Sequence, residues 1–342
     1  MKKRILILFI LLWGSARLMA QESMPMTISV EARGDFQHTL LDKEVIGAES
    51  GFKGNILNLI MKGELTSKFS YAYRQRFNAI NRDAAFFDSV DWLFLNYHPV
   101  QNLKLTLGKM PVFVGGWELD LAPIDCFFLS SFCYHFPCYE WGVSVDYATT
   151  SGNDNITLQL CQSPFQVGYS RVAGATTNMY AYNLIWHGHH GFFAPIWSVN
   201  MMEYAPNKYI NYISLGNRFY LSDRVQMDLE FMNRAAAGQT FIGKDYTFVG
   251  QVSYQPIDKL NLYAKGTYDV NRTDSDADLC VLKGTEITRL GGGFEYFPLS
   301  DKSVRIHGHY SYSFGTNTQP DAYVRDKFSM FDIGVTWRVK VM

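Results

Sequence analysis

Charged side chains in this sequence recur at every second position of several segments, a spacing that places them on one face of a strand. Arg74 and Arg76 are the clearest example, and Lys104 and Arg305 lie on the polar phase of two further segments. A strip of guanidinium and ammonium groups on a wall attracts anions through its local potential. We therefore expect these four residues to line a polar surface that acts on ions by electrostatics.

Three carboxylates, Glu118, Asp120 and Asp125, lie in a long segment between two predicted strands. If this segment folds back, its negative charges would face the strip of Arg74 and Arg76 across a constriction. Lys109 falls on the apolar phase by strict alternation, so that either the strand has ended there or a β-bulge re-aims the side chain. We include Lys109 and the three carboxylates among the candidate lining residues.

Other residue patterns that could do chemistry are weaker. His307 and His309 lie two apart, and His187, His189 and His190 form a second cluster. A metal site needs three or four converging ligands, and the sequence shows no further ones, so we predict no metal and no cofactor. No catalytic constellation is recognisable, which predicts that the chain is not an enzyme. A Ser/His/Asp site assembled from distant loops, as in an outer-membrane hydrolase, stays open as an alternative.

The five cysteines do not form a disulfide framework, because their number is odd. They are Cys126, Cys133, Cys138, Cys161 and Cys280. Free buried thiols are one interpretation. A bridge between Cys133 and Cys138, which export would permit, is the other.

Segments of about ten residues with alternating hydrophobicity, separated by turn residues, recur from end to end, as in transmembrane barrels. The segment Val225, Met227, Leu229 and Phe231 is the clearest. About sixteen such segments predict an all-β fold, an antiparallel transmembrane β-barrel with both termini at the rim of the short turns. A barrel of this size has an aqueous lumen.

One stretch organises this barrel. Leu103, Leu105 and Leu107 mark a strand that breaks near Pro111, and alternation resumes at Tyr139. The intervening Trp117 to Pro137 is too rich in phenylalanine to extend into solvent. We expect a long loop folded into the lumen.

The N-terminus and the composition predict where in the cell the protein is located. Lys2, Lys3 and Arg4 precede an apolar run from Ile5 to Trp13, which predicts a signal peptide at residues 1–20 and a barrel at 21–342. No later segment reaches the roughly 18 apolar residues of a spanning helix. Aromatic residues make up 15% and the net charge is −1, which favours an outer-membrane barrel among lipids and gives no basic surface for nucleic acid.

Several motifs resemble the phosphate-selective porin O and P family, in particular its branch in Bacteroidetes. They are Leu105 to Pro111 (LTLGKMP), Gly115 to Glu118 (GGWE), Cys138 to Tyr147 (CYEWGVSVDY) and Asn211 to Tyr220 (NYISLGNRFY). The resemblance implies a sixteen-stranded, commonly trimeric outer-membrane channel with a loop inside the pore. It also implies cationic side chains that guide anions, a role that Arg74, Arg76, Lys104 and Lys109 match.

The function that these features predict is a porin of a Gram-negative outer membrane. It would pass small hydrophilic solutes by diffusion, with a preference for anions such as phosphate. A non-conducting structural barrel in a secretion or surface complex is the alternative.

Overall fold

Sixteen strands make the wall of the protein in the computed structural model, which describes residues 26–79, 86–174, 177–320 and 322–342. The predicted signal peptide lies outside the described residues. The strands are β1 (Met26–Leu41), β2 (Gly51–Thr66), β3 (Phe69–Arg76), β4 (Val90–Val100), β5 (Leu103–Pro111), β6 (Tyr139–Ala148), β7 (Asp154–Gln162), β8 (Tyr180–Gly188), β9 (Phe193–Ala205), β10 (Lys208–Ser222), β11 (Val225–Ala236), β12 (Asp245–Ile257), β13 (Leu260–Asn271), β14 (Glu286–Tyr296), β15 (Val304–Thr316) and β16 (Phe328–Lys340). A two-residue segment, Glu44–Val45, adds a short pairing to β1.

The first and last strands close the sheet into a barrel. β1 pairs antiparallel with β16 from Ser29 opposite Lys340 to Leu41 opposite Phe328, and each strand pairs antiparallel with its neighbours in sequence. Closure leaves no free edge of unpaired amide and carbonyl groups. The prediction of a sixteen-stranded antiparallel barrel is therefore confirmed.

The strands bury their polar phase and expose their apolar phase. In β6, Ser144 and Asp146 are buried, whereas Val143, Val145 and Tyr147 are exposed. This distribution reverses that of a water-soluble protein and suits a wall between lipid and an aqueous interior.

Short connections lie on the rim that carries both termini: residues 67–68, 101–102, 149–153, 189–192, 223–224, 258–259 and 297–303. The opposite rim has mostly longer connections: residues 42–50, 77–89, 112–138, 163–179, 237–244, 272–285 and 317–327, with 206–207 as a short exception. The asymmetry matches the predicted one.

In the part of the chain that the structure describes, helices are few and short. They are α1 (Trp117–Asp120), α2 (Ser131–His135) and α3 (Gln166–Ala173), together with 3-10 turns at Gly47–Glu49, Phe77–Ala79, Phe86–Ser89 and Pro123–Asp125. Among the described residues, no helix has the length and apolar character needed to cross a membrane.

Apolar residues from three connections pack against the wall near the rim of the longer connections. Val112, Phe132 and Phe136 come from the segment 112–138, and they join Met202 of β9 and Tyr212 of β10 in one buried cluster. Phe165, Cys280 and Val281 from two other connections extend it. This cluster holds the segment 112–138 beside β9, β10 and β11.

Candidate functional site

Glu118 is the centre of the contacts that hold the segment 112–138, called here the long loop. Its carboxylate accepts hydrogen bonds from Lys265 Nζ of β13 at 2.6 Å and from the backbone and hydroxyl groups of Ser130 at 2.9 and 2.5 Å. Its backbone N–H donates to Glu230 of β11 at 3.0 Å. Both members of the pair of Glu118 and Lys265 are buried. Glu118 therefore fixes α1 to two strands of the wall.

Gly116 makes the approach of α1 to Glu230 possible. Its φ of +121° lies in a region that side chains disfavour, and an added Cβ would lie 2.5 Å from Glu230 Oε2. Gly116 thus allows the backbone N–H of Glu118 to reach the carboxylate of Glu230 in the wall.

The start of α2 is held by Asp269 of β13. Its carboxylate accepts from the backbone N–H of Ser131 at 2.8 Å and of Phe132 at 3.2 Å, and from the hydroxyl of Thr247 at 2.7 Å. Amide groups at a helix N-terminus lack intrahelical partners, and a carboxylate there satisfies them. A second wall residue therefore anchors the same loop.

A third anchor joins the loop to β15 and β16. Asp125 Oδ1 lies 2.7 Å from Arg305 Nη1 and 2.6 Å from Arg338 Nη2. Arg305 also donates to the carbonyl of Ile124, and Arg33 of β1 donates to the carbonyl of Cys126. Two predicted lining residues, Asp125 and Arg305, thus meet directly.

Arg74 and Arg76 share one carboxylate on β4. Asp91 lies 2.9 Å from Arg74 and 3.2 Å from Arg76. Arg74 is 1% exposed, stacks over Trp92 at 4.1 Å and donates to the hydroxyl of Tyr139, whereas the Arg76 side chain is 33% exposed. Arg74 is therefore fixed in the wall, and Arg76 presents its charge to solvent.

Lys104 and Lys109 lie apart from these contacts. Lys104 pairs with Asp146 at 3.5 Å beside the rim that carries the termini. The strand neither ends at Lys109 nor shifts register there: Lys109 lies opposite Leu93 and Trp141, both exposed on the apolar face. Its Nζ donates to the carbonyl of Phe87 at 2.6 Å. Lys109 thus lies on the apolar face of its strand, as strict alternation predicts, and no β-bulge re-aims it.

Two cavities lie against the long loop. The larger, of about 900 Å³, is lined by the basic residues Arg33, Lys53, Arg74 and Arg76 and by the acidic residues Glu118, Asp120 and Asp332. The smaller, of about 380 Å³, is lined by Lys265, Lys302, Arg305 and Arg338 and by Asp125 and Glu295. Leu121, Cys126, Phe127 and Leu129 of the loop line both cavities. Neither Lys104 nor Lys109 is among the described residues that line them.

The cysteines of the long loop are free thiols. Burial raises the pKa of Cys126 to about 12 and the pKa of Cys138 to about 11, because the thiolate would lose its hydration. All five cysteines are unbridged, which agrees with the interpretation as free thiols and not with a bridge between Cys133 and Cys138; Cys133, Cys161 and Cys280 are buried, and Cys126 and Cys138 are partly buried.

The sequence analysis did not single out Asp35, Asp332 and Asp154, whose carboxylates lie close to histidines that it considered as metal ligands. His307 Nε2 lies 2.8 Å from Asp35 Oδ1 and 3.7 Å from Asp332 Oδ1, and His309 Nδ1 lies 3.9 Å from the same Asp332 oxygen. In the other histidine cluster, His190 pairs with Asp154 at 3.0 Å. The alternation of β1 and β16 already contained the signal, because Asp35 and Asp332 lie on the polar phase of their strands.

Comparison with known proteins identifies relatives across nearly the whole chain. The family described as phosphate-selective porin O and P matches residues 27–338. A search of curated protein sequences gave no match.

Solved outer-membrane proteins share the fold at low sequence identity. The anion-selective porin from Comamonas acidovorans has a TM-score of 0.64 at 9% identity, covering 93% of this chain and 100% of that one. The outer membrane channel DcaP of Acinetobacter baumannii has a TM-score of 0.63 at 12% identity, covering 94% and 99%. In-vitro folded OmpT, an outer membrane protein of Vibrio cholerae, has a TM-score of 0.59 at 12% identity, covering 94% and 100%.

Proposed function

We propose, from the premise that this chain belongs to the phosphate-selective porin O and P family, that it conducts small anions through a lumen narrowed by the long loop. The family and the sixteen-stranded fold confirm the prediction of a porin in the outer membrane of a Gram-negative bacterium. Solutes cross such a channel passively, driven by their own gradients. Because the family is one of channels, we infer that the chain performs no covalent chemistry and needs no cofactor for conduction.

Contacts on both sides of the loop support its place inside the lumen. The loop leaves β5 and returns at β6. Glu118, Asp125 and Ser131 nevertheless contact charged residues of β13, β15 and β16, which lie across the barrel from these two strands. Those partners belong to the buried phase of their strands. These contacts support a path of the loop across the interior.

The excess of basic over acidic lining residues is the observation that carries the anion preference. In the smaller cavity, four basic side chains stand against Asp125 and Glu295, although the whole chain has a net charge of −1. In the larger cavity, four basic side chains stand against three acidic ones. A narrow passage with low-dielectric walls focuses this potential and raises the local concentration of anions.

The ion pairs determine which of these charges an anion meets. Arg305 and Lys265 are buried against carboxylates, so their charges are largely neutralised. Arg76 is one third exposed and shares Asp91 with Arg74, so that two guanidinium groups face one carboxylate. We propose Arg76 as the principal guide for anions in the larger cavity. Glu118 and Asp125 anchor the long loop, and Asp120 is a negative charge that lines the larger cavity.

Export and assembly complete the proposal. Cleavage after residue 20 would release a mature chain that begins at Gln21. The family resemblance implies a homotrimer, which would use part of the exposed apolar face of the barrel as subunit interface.

The proposal is tested by planar-bilayer recordings of the refolded protein. In a potassium chloride gradient we expect stable current steps whose reversal potential lies on the chloride side. Arg76→Gln should shift this potential towards zero, whereas the control Lys327→Gln, at an exposed loop residue that pairs with Asp42, should leave it unchanged. Equal potentials for wild type and Arg76→Gln would exclude Arg76 as a guide. Folded protein without current would refute the channel proposal and favour a structural barrel.

A further inference from the structure

Two rows of interior side chains meet at the seam where the barrel closes. In the first row, Asp35 of β1 and His307 of β15 both lie opposite Gly334 of β16. In the second, adjacent row on the same face, Asp332 of β16 lies opposite His309 of β15. Side chains in neighbouring positions of one sheet face are close enough to interact. Two carboxylates and two imidazoles are thus collected at one point from three strands.

Gly334 creates the space in which the first row meets. A Cβ at this position would lie 2.8 Å from His307 Nε2 and even closer to Asp35 Oδ1. Any side chain there would occupy the place of these two donor atoms. The absence of a side chain on the middle strand therefore lets residues from its two neighbours come together over it.

The cluster is buried and incompletely hydrogen-bonded. Asp35, His307, His309 and Asp332 are each at most 3% exposed. Within the part of the chain that the structure describes, Asp332 Oδ1 and both ring nitrogens of His309 have no hydrogen-bond partner, nor has His307 Nδ1. Buried polar atoms are normally paired, so each unpaired one requires an explanation.

We propose that Asp35, His307 and Asp332 bind a divalent transition metal ion, Zn²⁺ by their chemistry. One donor atom from each of the three lies within 4.8 Å of the others. One imidazole nitrogen and two carboxylate oxygens, with the fourth position open, form a ligand set that suits tetrahedral Zn²⁺. A bound ion would use the unpaired Asp332 oxygen, and His309 Nδ1 lies 3.9 Å from that oxygen.

Neighbouring residues already orient one ligand. Asp35 Oδ2 accepts from Arg33 Nε at 2.7 Å and from Asn55, which leaves Oδ1 directed at His307. Such outer hydrogen bonds hold metal ligands in place. The loop residue Phe127 covers the other side, with ring centroids 4.7 Å from His307 and 5.2 Å from His309.

The position of the site gives it a role independent of conduction. Its ligands belong to the first strand and the last two, so a bound ion would tie the closing seam of the barrel. Access is available because Asp332 lines the larger cavity. The ion would stabilise the closed barrel and, through Phe127, the long loop against it.

The test uses the full mature barrel in detergent, with Zn²⁺ and Co²⁺ as probes. We expect one ion per chain in calorimetry, visible absorption bands typical of tetrahedral Co²⁺, and a higher unfolding temperature with Zn²⁺. Asp332→Asn and His307→Gln should each weaken binding by more than the about 10- to 100-fold typical of outer-shell changes. The matched control His190→Gln, in a His/Asp pair at the rim, should bind as wild type.

Three results would overturn the proposal. One is wild-type protein that binds no ion, and another is Asp332→Asn protein that binds as tightly as wild type. The third is sulfur-to-cobalt charge-transfer absorption, because it would assign the ion to the cysteines. Since two ligand variants are measured separately, failure of one to fold leaves the other to decide. Channel recordings of the same samples keep this outcome separate from that of the proposed function.

Discussion

Neutralising Glu118 by Glu118→Gln is expected to destabilise the protein by leaving a buried charge unpaired. The Lys265 side chain is only 7% exposed and its Nζ lies 2.6 Å from the Glu118 carboxylate. Removing one partner of a buried ion pair costs about 3 to 5 kcal/mol. We therefore expect the free energy of unfolding to fall by about 3 to 5 kcal/mol, or roughly two to four powers of ten in the unfolding equilibrium.

The measurement is urea unfolding in detergent or lipid, followed by tryptophan fluorescence, with two comparison variants. Glu118→Gln combined with Lys265→Met removes both charges and should return to within about 1 kcal/mol of wild type. Asp276→Asn breaks a pair of similar length with Lys283 that is exposed, and should cost less than about 1 kcal/mol. If Glu118→Gln costs no more than Asp276→Asn, or if the double variant is no more stable than the single one, the loop is not anchored by this pair.

Three further predictions follow from the same contacts. Replacing residues 117–137 by a short Gly/Ser linker should raise single-channel conductance, and unchanged conductance would exclude the loop from the pathway. Arg74→Gln should lower the free energy of unfolding by about 2 kcal/mol, because it leaves Asp91 buried with one partner fewer, whereas Arg76→Gln should change stability by less than half of that. Burial raises the pKa of Cys126 to about 12, so stability should fall as the pH rises above 9.0, the ordinary thiol value, because only the unfolded thiol then ionises. Maleimide labelling at neutral pH should correspondingly stay slow until urea unfolds the protein.

The barrel could be predicted from the sequence because its constraint is local and repetitive. Each strand needs a lipid-facing apolar phase and a polar interior phase, so Val225, Met227 and Leu229 mark β11 without knowledge of any other strand. By the same rule Lys265 and Glu230 fall on the polar phase of their strands, and both are buried. Alternation also holds at Lys109, so both expectations for that residue, an end of the strand and a β-bulge, were wrong.

The partners of the loop charges could not be predicted, because they depend on how the loop packs against distant strands. Glu118 and Lys265 are separated by 147 positions, and no spacing rule connects them. The sequence therefore suggested that Glu118 and Asp125 were free negative charges facing a cationic strip. In the structure both are paired with basic residues of the wall, which makes them anchors.

This pairing changes how charge counts predict selectivity. The two cavities together are lined by eight basic and five acidic residues, so the count alone already predicts an anion preference. Once Glu118 is neutralised by Lys265 and Asp125 is shared between Arg305 and Arg338, the charges that remain exposed in the cavities include the basic Arg76 and Lys302 and the acidic Asp120. An anion responds to these incompletely compensated groups, because a buried pair contributes only a short-range dipole. Selectivity in this barrel should therefore follow the arrangement of ion pairs together with the excess of basic lining charges.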